Sequence, residues 1–265
     1  MTKPVDGRPD FREWVDQQPT PSWPPMPLTH VTKALLAADI AKSGHVDPTQ
    51  CEVFGRPLTY FFYGRPAYRV SGDGTIKMEA ACPCCFIFDA KLIEKAEAIF
   101  AFDTGAFSKR LYKHMLTDEM KVEDFSLGTD RSRPNKLIMR TFGSQLAYFQ
   151  GNIYAIPDPT SITKAYEFHA RSYLNLLSSP GRNEPDDRIC SIEVILAQQV
   201  QLKDSLLAII VPHTLWDDEA PWLKNLQEKG AIVQPYCFVP GRHPDYYQAQ
   251  LEAAAKDLYE KWRSL

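Results

Sequence analysis

The stretch LTYFFY at residues 58–63 carries the strongest strand signal in the chain. Aromatic and β-branched side chains favour a pleated strand, and Pro57 and Gly64 bound the stretch as turn-forming residues do. Two further apolar runs follow it, CFIF at 85–88 and AIFAF at 98–102. The sequence therefore predicts a sheet in which the aromatic stretch is one strand.

Upstream of the aromatic stretch, a strand is predicted to lead into a helix. LTHV at 28–31 alternates apolar and polar residues, which is typical of a strand. Thr32 is predicted to cap a helix over residues 33–43. Gly44 is predicted to end it, because glycine readily adopts the left-handed conformation found at helix C-termini.

Downstream, helical and apolar stretches follow one another without a regular β-α-β alternation, which argues against a Rossmann sheet. The predicted fold class is α+β with a mixed β-sheet core and surrounding helices. Helices are expected over much of 106–150 with interruptions near Gly128 and Pro134, from Asp158 or Thr160 to Leu177, and over the last twenty residues, and later strands at 189–196, 205–211 and 231–233.

The N-terminal stretch differs in composition from the rest of the chain. Residues 1–26 are polar and rich in proline, which removes backbone hydrogen-bond donors. We therefore expect residues 1–26 to form an extended arm, pinned by Trp14 and Trp23, and residues 27–265 to form one domain.

The net charge is −3, from 30 basic and 33 acidic residues, so the chain as a whole has no electrostatic attraction to nucleic acid. Basic residues do concentrate at 109–140, as either a solvated helical face or a surface that meets a polyanion. No apolar run reaches the roughly 18 residues of a membrane span. Without a signal peptide, the six cysteines are expected to be free thiols in a cytoplasmic protein that contacts no membrane.

Common catalytic motifs are absent from the sequence. It contains no phosphate-binding P-loop, dinucleotide-binding glycine motif, zinc-protease helix or hydrolase elbow. The run CPCC at 82–85 has no second cysteine pair, because Cys51, Cys190 and Cys237 stand alone. We expect these cysteines to pack as small apolar residues and to bind no metal, with a redox or metal role as the alternative.

Three segments carry polar residues in positions that require an explanation. His30 lies in the first predicted strand, and Arg65 directly follows the aromatic stretch. Glu193 interrupts an otherwise apolar run, RICSIEVIL at 188–196, where an ionised carboxylate is costly without a partner or a purpose. Each has an ordinary alternative: His30 as a residue at a strand edge, Arg65 and Glu193 as members of structural ion pairs.

The chain resembles the ADP-ribosyltransferase superfamily in four segments that occur in the same order along the chain. They are 28–44, 61–66 (FFYGRP), 192–196 (IEVIL) and the apolar run at 207–211. They are most like the DarT-type toxins that modify DNA bases. The resemblance implies an ADP-ribosyltransferase-like mixed β-sheet core. It also implies NAD as substrate, no metal, and DNA or another nucleic acid as a candidate acceptor, in a toxin or defence role with an antitoxin or immunity protein as partner.

The resemblance also implies roles for individual residues. Glu193 would stabilise the ribosyl cation that forms when nicotinamide leaves, and Arg65 would hold the pyrophosphate or help to activate the acceptor. His30 would orient NAD through its adenosine ribose or its nicotinamide end. The other residues expected to contact NAD are Thr32 and three tyrosines, Tyr60, Tyr63 and Tyr68, one of which would stack on nicotinamide. Tyrosines placed like Tyr60 and Tyr63 are more often core residues.

Acceptor recognition is expected from a polar loop and from one turn. Arg182 and Asn183 lie in the loop at 178–187, which either meets the acceptor or is an exposed connection. Asp103 follows an apolar strand, a common place for a functional loop. Ser191 stands where arginine-modifying transferases have a second glutamate, which argues against a protein arginine as acceptor. The alternatives are an NAD glycohydrolase on the same fold and a catalytically silent binding protein. The catalytic hypothesis predicts that the strands of His30, Tyr63 and Glu193 share one cleft.

Overall fold

The computed structural model of the protein describes residues 10–67, 74–179 and 189–262. The prediction of a mixed α+β protein is confirmed. The strands are β1 Leu28–Lys33, β2 His45–Val46, β3 Thr49–Gln50, β4 Pro57–Tyr63, β5 Pro83–Phe88, β6 Ala98–Phe100, β7 Ser126–Gly128, β8 Glu193–Leu196, β9 Val200–Gln201, β10 Leu206–Pro212 and β11 Ile232–Tyr236. The α-helices are α1 Asp10–Asp16, α2 Ala34–Ser43, α3 Thr104–Ser108, α4 Arg133–Phe142, α5 Gln145–Phe149, α6 Pro159–Ile162, α7 Phe168–Leu177, α8 Leu202–Ser205, α9 His213–Asp217, α10 Pro221–Glu228 and α11 Pro244–Trp262. Short 3₁₀ helices lie at Glu79–Ala81, Ala90–Lys95, Val122–Phe125 and Ile153–Ala155.

The chain divides into two compact units. Of the described residues, the first unit takes 10–25, 97–179 and 189–194, and the second takes 26–67, 74–96 and 195–262. Strand β8 begins in the first unit with Glu193 and ends in the second. The single domain expected over residues 27–265 stays a prediction.

The second unit is built on a mixed sheet in the order β11-β10-β5-β1-β4, with β3 paired to β4. Strands β10 and β11 run parallel, and the other pairs in this order run antiparallel. The register places Leu28 opposite Tyr63 and His30 opposite Phe86. Strand β1 therefore lies between the aromatic strands β4 and β5, which surround its histidine with rings.

The predicted strand-to-helix connection has the expected end but a different beginning. Gly44 has a φ of 79°, and its N–H donates to the carbonyl of Ile40 at 2.9 Å, so its role as the C-cap is confirmed. The N-cap is Lys33 without a side-chain hydrogen bond, so the prediction of Thr32 as the cap is wrong. The physical reason is that β1 continues to pair with β5 through Lys33, which keeps Thr32 in the sheet.

Gly64 follows the aromatic strand in a left-handed conformation that favours glycine. Its φ is 71°, and a Cβ atom would lie 2.5 Å from the Cε atom of Met26. Its N–H donates to the carbonyl of Pro27 at 2.7 Å, which closes the turn against the start of β1. This turn directs the chain to Arg65.

Part of the predicted N-terminal arm is a packed helix. In α1, Phe11, Trp14 and Val15 are buried. The indole Nε1 of Trp14 donates to the carbonyl of Ile162 at 3.1 Å, and the Arg140 guanidinium lies 4.4 Å from the centroid of its ring. The prediction of an extended arm is wrong for these residues, because three apolar residues at i, i+3 and i+4 form a helix once a partner surface covers them. Residues 1–9 lie outside the described residues.

Two long helical predictions are also corrected. Between residues 106 and 150, α3, α4 and α5 are separated by turns, a 3₁₀ helix and strand β7, which ends at Gly128. The expected helix from Asp158 to Leu177 is two helices. Asp158 caps α6 through a hydrogen bond from the Thr160 N–H at 2.7 Å, but α6 ends at Ile162 and α7 begins at Phe168. Local capping was predictable, whereas the length of each helix depends on what it packs against.

Candidate functional site

The predicted site residues are distributed over both units. His30 and Thr32 lie on β1, Tyr60 and Tyr63 on β4, and Arg65 just after β4, all in the second unit. Glu193 and Asp103 belong to the first unit. The shared cleft expected for His30, Tyr63 and Glu193 therefore stays a prediction. Tyr68, Arg182 and Asn183 lie outside the described residues.

A cleft of about 390 Å³ in the second unit brings together three of the residues predicted to contact NAD. His30 and Thr32 of β1 and Tyr60 of β4 line it, together with one face of α2 and the segment after Gly44. Small-molecule sites typically enclose roughly 300–1,000 Å³, so the volume suits one part of a dinucleotide. We refer to it as the His30 cleft.

The tautomer of His30 follows from its contacts. The Nδ1 atom lies 2.9 Å from the carbonyl oxygen of Tyr60, and since a carbonyl can only accept, Nδ1 carries the proton. Burial lowers the pKa of the imidazole below its usual value, although the hydrogen bond to Tyr60 acts against this. The ring is packed between Phe61 and Phe86, with centroids 5.7 and 6.5 Å away. At neutral pH His30 is therefore uncharged, and its Nε2 atom is a hydrogen-bond acceptor.

Residues that the sequence did not single out complete the cleft. Asp39 lines the cleft from α2, three residues after Leu36 on the same helix face. His45 and Asp47 line it from the segment that follows Gly44. The Nε2 atom of His45 lies 3.2 Å from Asp47 Oδ2. The i, i+3 spacing on α2 was a visible signal for Asp39, but which helix face lines a cleft depends on the docking of the helix.

Tyr63 and Arg65 are engaged within the second unit. Tyr63 is fully buried, and its hydroxyl accepts a hydrogen bond from the Met26 N–H at 3.0 Å. Arg65 is 5% exposed, and its Nε and Nη2 atoms donate to Oε1 of Glu252 at 3.3 and 3.0 Å. In this arrangement Tyr63 offers no exposed ring face, and Arg65 takes part in a structural ion pair.

The two predicted acidic site residues are both buried in the first unit. The Oε2 atom of Glu193 accepts a hydrogen bond from the Thr104 N–H at 3.1 Å. Asp103 caps α3, because its Oδ1 atom accepts from the Ala106 N–H at 2.7 Å. Both carboxylates therefore contact the same short stretch of backbone, and Asp103 has a clear structural role.

The cysteine cluster at 82–85 is part of the core. Cys82, Cys84 and Cys85 are buried, and burial raises the pKa of each thiol, that of Cys82 to about 12. Over the described ranges, no group of three or more His, Cys, Asp and Glu residues has a geometry that could hold a metal ion. The thiols are therefore protonated and unreactive at neutral pH.

The basic stretch at 109–140 is partly used inside the first unit. The guanidinium of Arg133 and the ammonium group of Lys136 bind the carboxylate of Asp16, with nitrogen to oxygen distances of 2.8 and 3.0 Å. Arg140 stacks on Trp14. These three cations hold α1 against α4, which leaves them less able to bind a polyanion.

None of the helices in the described part of the chain combines the length and the apolar character needed to cross a membrane. No protein-family model, curated protein or solved structure matches the chain.

Proposed function

We propose that this protein binds NAD in the His30 cleft and transfers its ADP-ribosyl group to an acceptor. One observation carries the proposal: His30, Thr32 and Tyr60, assigned to NAD by the resemblance to ADP-ribosyltransferases, line one cleft of suitable size. The cleft offers hydroxyl groups and the Nε2 acceptor of His30, which suit the hydroxyls of a nucleoside.

The proposed reaction breaks the bond between nicotinamide and C1′ of the adjoining ribose. The bonding electrons leave with nicotinamide, which becomes neutral, and the ribose becomes an oxocarbenium-like cation. The acceptor atom then bonds to C1′ and loses a proton. The resemblance assigns stabilisation of this cation to the carboxylate of Glu193, which accepts a hydrogen bond from the Thr104 N–H, and binding of the pyrophosphate to Arg65, which is paired with Glu252.

We place this activity in the cytoplasm, in a toxin or defence role, with DNA or another nucleic acid as the acceptor. An antitoxin or immunity protein would then be the partner that neutralises it. All six cysteines are free thiols, which agrees with a reducing compartment. Water in place of the acceptor would make the protein an NAD glycohydrolase that uses the same residues.

A second function is favoured by a specific observation. Arg65 is already paired with Glu252, and Glu193 already accepts a backbone hydrogen bond. Both arrangements are typical of groups that stabilise a fold. They support a protein that binds NAD in the cleft but leaves it intact.

One experiment separates these functions. The purified protein is mixed with NAD labelled in the adenosine half, with and without single-stranded and duplex DNA, while free nicotinamide is measured. Nicotinamide release with label retained on DNA supports the transferase, and release without retained label supports the glycohydrolase. Calorimetric binding without release supports the binding protein. The absence of both binding and release refutes the assignment of NAD.

A further inference from the structure

The charge of the His30 cleft differs from that of a phosphate site. Sites for phosphate present arginine, lysine or several backbone N–H groups to the anion. The described lining of the cleft instead contains the carboxylates of Asp39 and Asp47 and no lysine or arginine. The cleft therefore suits an uncharged group with hydroxyl donors better than an anion.

The two carboxylates differ in how they are held. Asp47 is close to His45 and also accepts a hydrogen bond from Nε2 of Gln199 at 2.7 Å. Asp39 has neither a hydrogen bond nor an ion pair with a residue of the described ranges, and its side chain is exposed. Asp39 is therefore the carboxylate that is available to a ligand.

Asp39 and His30 lie on different elements around the same cleft and are both hydrogen-bond acceptors. The neutral imidazole offers Nε2, and the carboxylate offers two oxygens. A ribose carries two neighbouring hydroxyl donors, and carboxylates accept hydrogen bonds from such hydroxyls in other dinucleotide sites. Leu36 and Ile40, on the same face of α2, provide apolar surface for a flat, uncharged base.

We propose that Asp39 makes the His30 cleft selective for an adenosine whose ribose hydroxyls are free, so that the protein accepts NAD and rejects NADP. This inference rests on the proposed function, because it assigns the cleft to the adenosine half of NAD. The 2′-phosphate of NADP carries about two negative charges at neutral pH, which a neighbouring carboxylate repels. The 2′-hydroxyl of NAD donates a hydrogen bond to the same carboxylate.

The test compares two ligand pairs by calorimetry: adenosine with adenosine 2′-monophosphate, and NAD with NADP. In the wild-type protein the phosphorylated member of each pair should bind about tenfold or more weakly, as expected for a like-charge contact. Asp39→Asn keeps the size of the side chain but removes its charge. It should lower the ratio of the two affinities, unphosphorylated over phosphorylated ligand, about tenfold in both pairs. Asp257→Asn makes the same change at an exposed position of α11 outside the cleft, and should keep the wild-type ratio.

The outcomes separate this inference from the proposed function. Equal affinities within the pairs, or an unchanged ratio in Asp39→Asn, overturn the selectivity while NAD binding stands. If adenosine and adenosine 2′-monophosphate show the expected ratio of affinities but NAD does not bind, the selectivity is supported and the proposed function is refuted. If none of the four ligands binds, both are refuted.

Discussion

At the scale of single residues, the proposed function depends on whether Glu193 is a catalytic or a structural residue. Glu193 is 3% exposed at the start of an apolar strand, where burial of a charge is costly unless hydrogen bonds compensate. The Thr104 N–H supplies one such bond at 3.1 Å. This contact fits a structural carboxylate and equally a catalytic one held in position, so only a variant separates the two roles.

We expect Glu193→Gln to lower nicotinamide release about 10²–10³-fold, because it removes the negative charge that would face the ribosyl cation. The melting temperature should be unchanged, since the amide oxygen can still accept from Thr104. Release is measured by chromatography and melting by calorimetry. Glu123→Gln, the same change at an exposed position of the first unit, serves as the control and should match the wild type in both.

Two other results would assign Glu193 differently. A lower melting temperature with a proportionate loss of turnover would make it a structural residue. A variant that melts normally and consumes NAD at the wild-type rate would refute both roles.

At the scale of elements, helix α11 holds the segment that follows the aromatic strand. Glu252 pairs with Arg65, Gln248 Nε2 donates to the carbonyl of Pro66 at 2.6 Å, and the Tyr259 hydroxyl donates to the carbonyl of Gly64 at 2.8 Å. These bonds join a C-terminal helix to a turn nearly two hundred residues earlier in the chain. The position of Arg65 is therefore set by α11 as much as by β4.

Removal of Glu252 is expected to destabilise the protein. Glu252→Ala removes two hydrogen bonds to the buried Arg65 guanidinium, which should cost roughly 1.5–3 kcal/mol in the free energy of unfolding, measured with urea. Glu260→Ala, which breaks the exposed pair with Lys256 on the same helix, should cost less than about 0.5 kcal/mol. Equal effects of the two variants would contradict a structural role for the Arg65 pair.

At the scale of the whole molecule, the cysteines report on the integrity of both units. Five of the six are buried and Cys237 is exposed. A thiol reagent such as dithionitrobenzoate should therefore modify one thiol quickly in the native protein and six in denaturant. A Cys237→Ser variant is the control and should show no fast reaction. Fast modification of two or more native thiols would show that one of the buried segments opens.

The sequence predicted an element correctly where residues close together in the chain were enough to specify it. The aromatic strand β4, the C-cap at Gly44 and the closing helix α11 each follow from residues close together in the chain. The cap at Thr32 and the long helix to Leu177 were wrong, because β1 continues through Lys33 and packing divides the helix. Propensity describes one stretch at a time and does not include these distant partners.

By itself the sequence determined the mixed α+β class and the aromatic strand of the second unit's sheet. Through a family resemblance it also predicted a set of NAD contacts, to which His30, Thr32 and Tyr60 belong. Only the tertiary structure decided that these three line one cleft, that Asp39 completes it, and that residues 10–16 pack as a helix. The physical reason is that burial, charge environment and cleft lining depend on side chains far apart in the chain. Periodicity and capping, in contrast, depend on neighbours within a few positions.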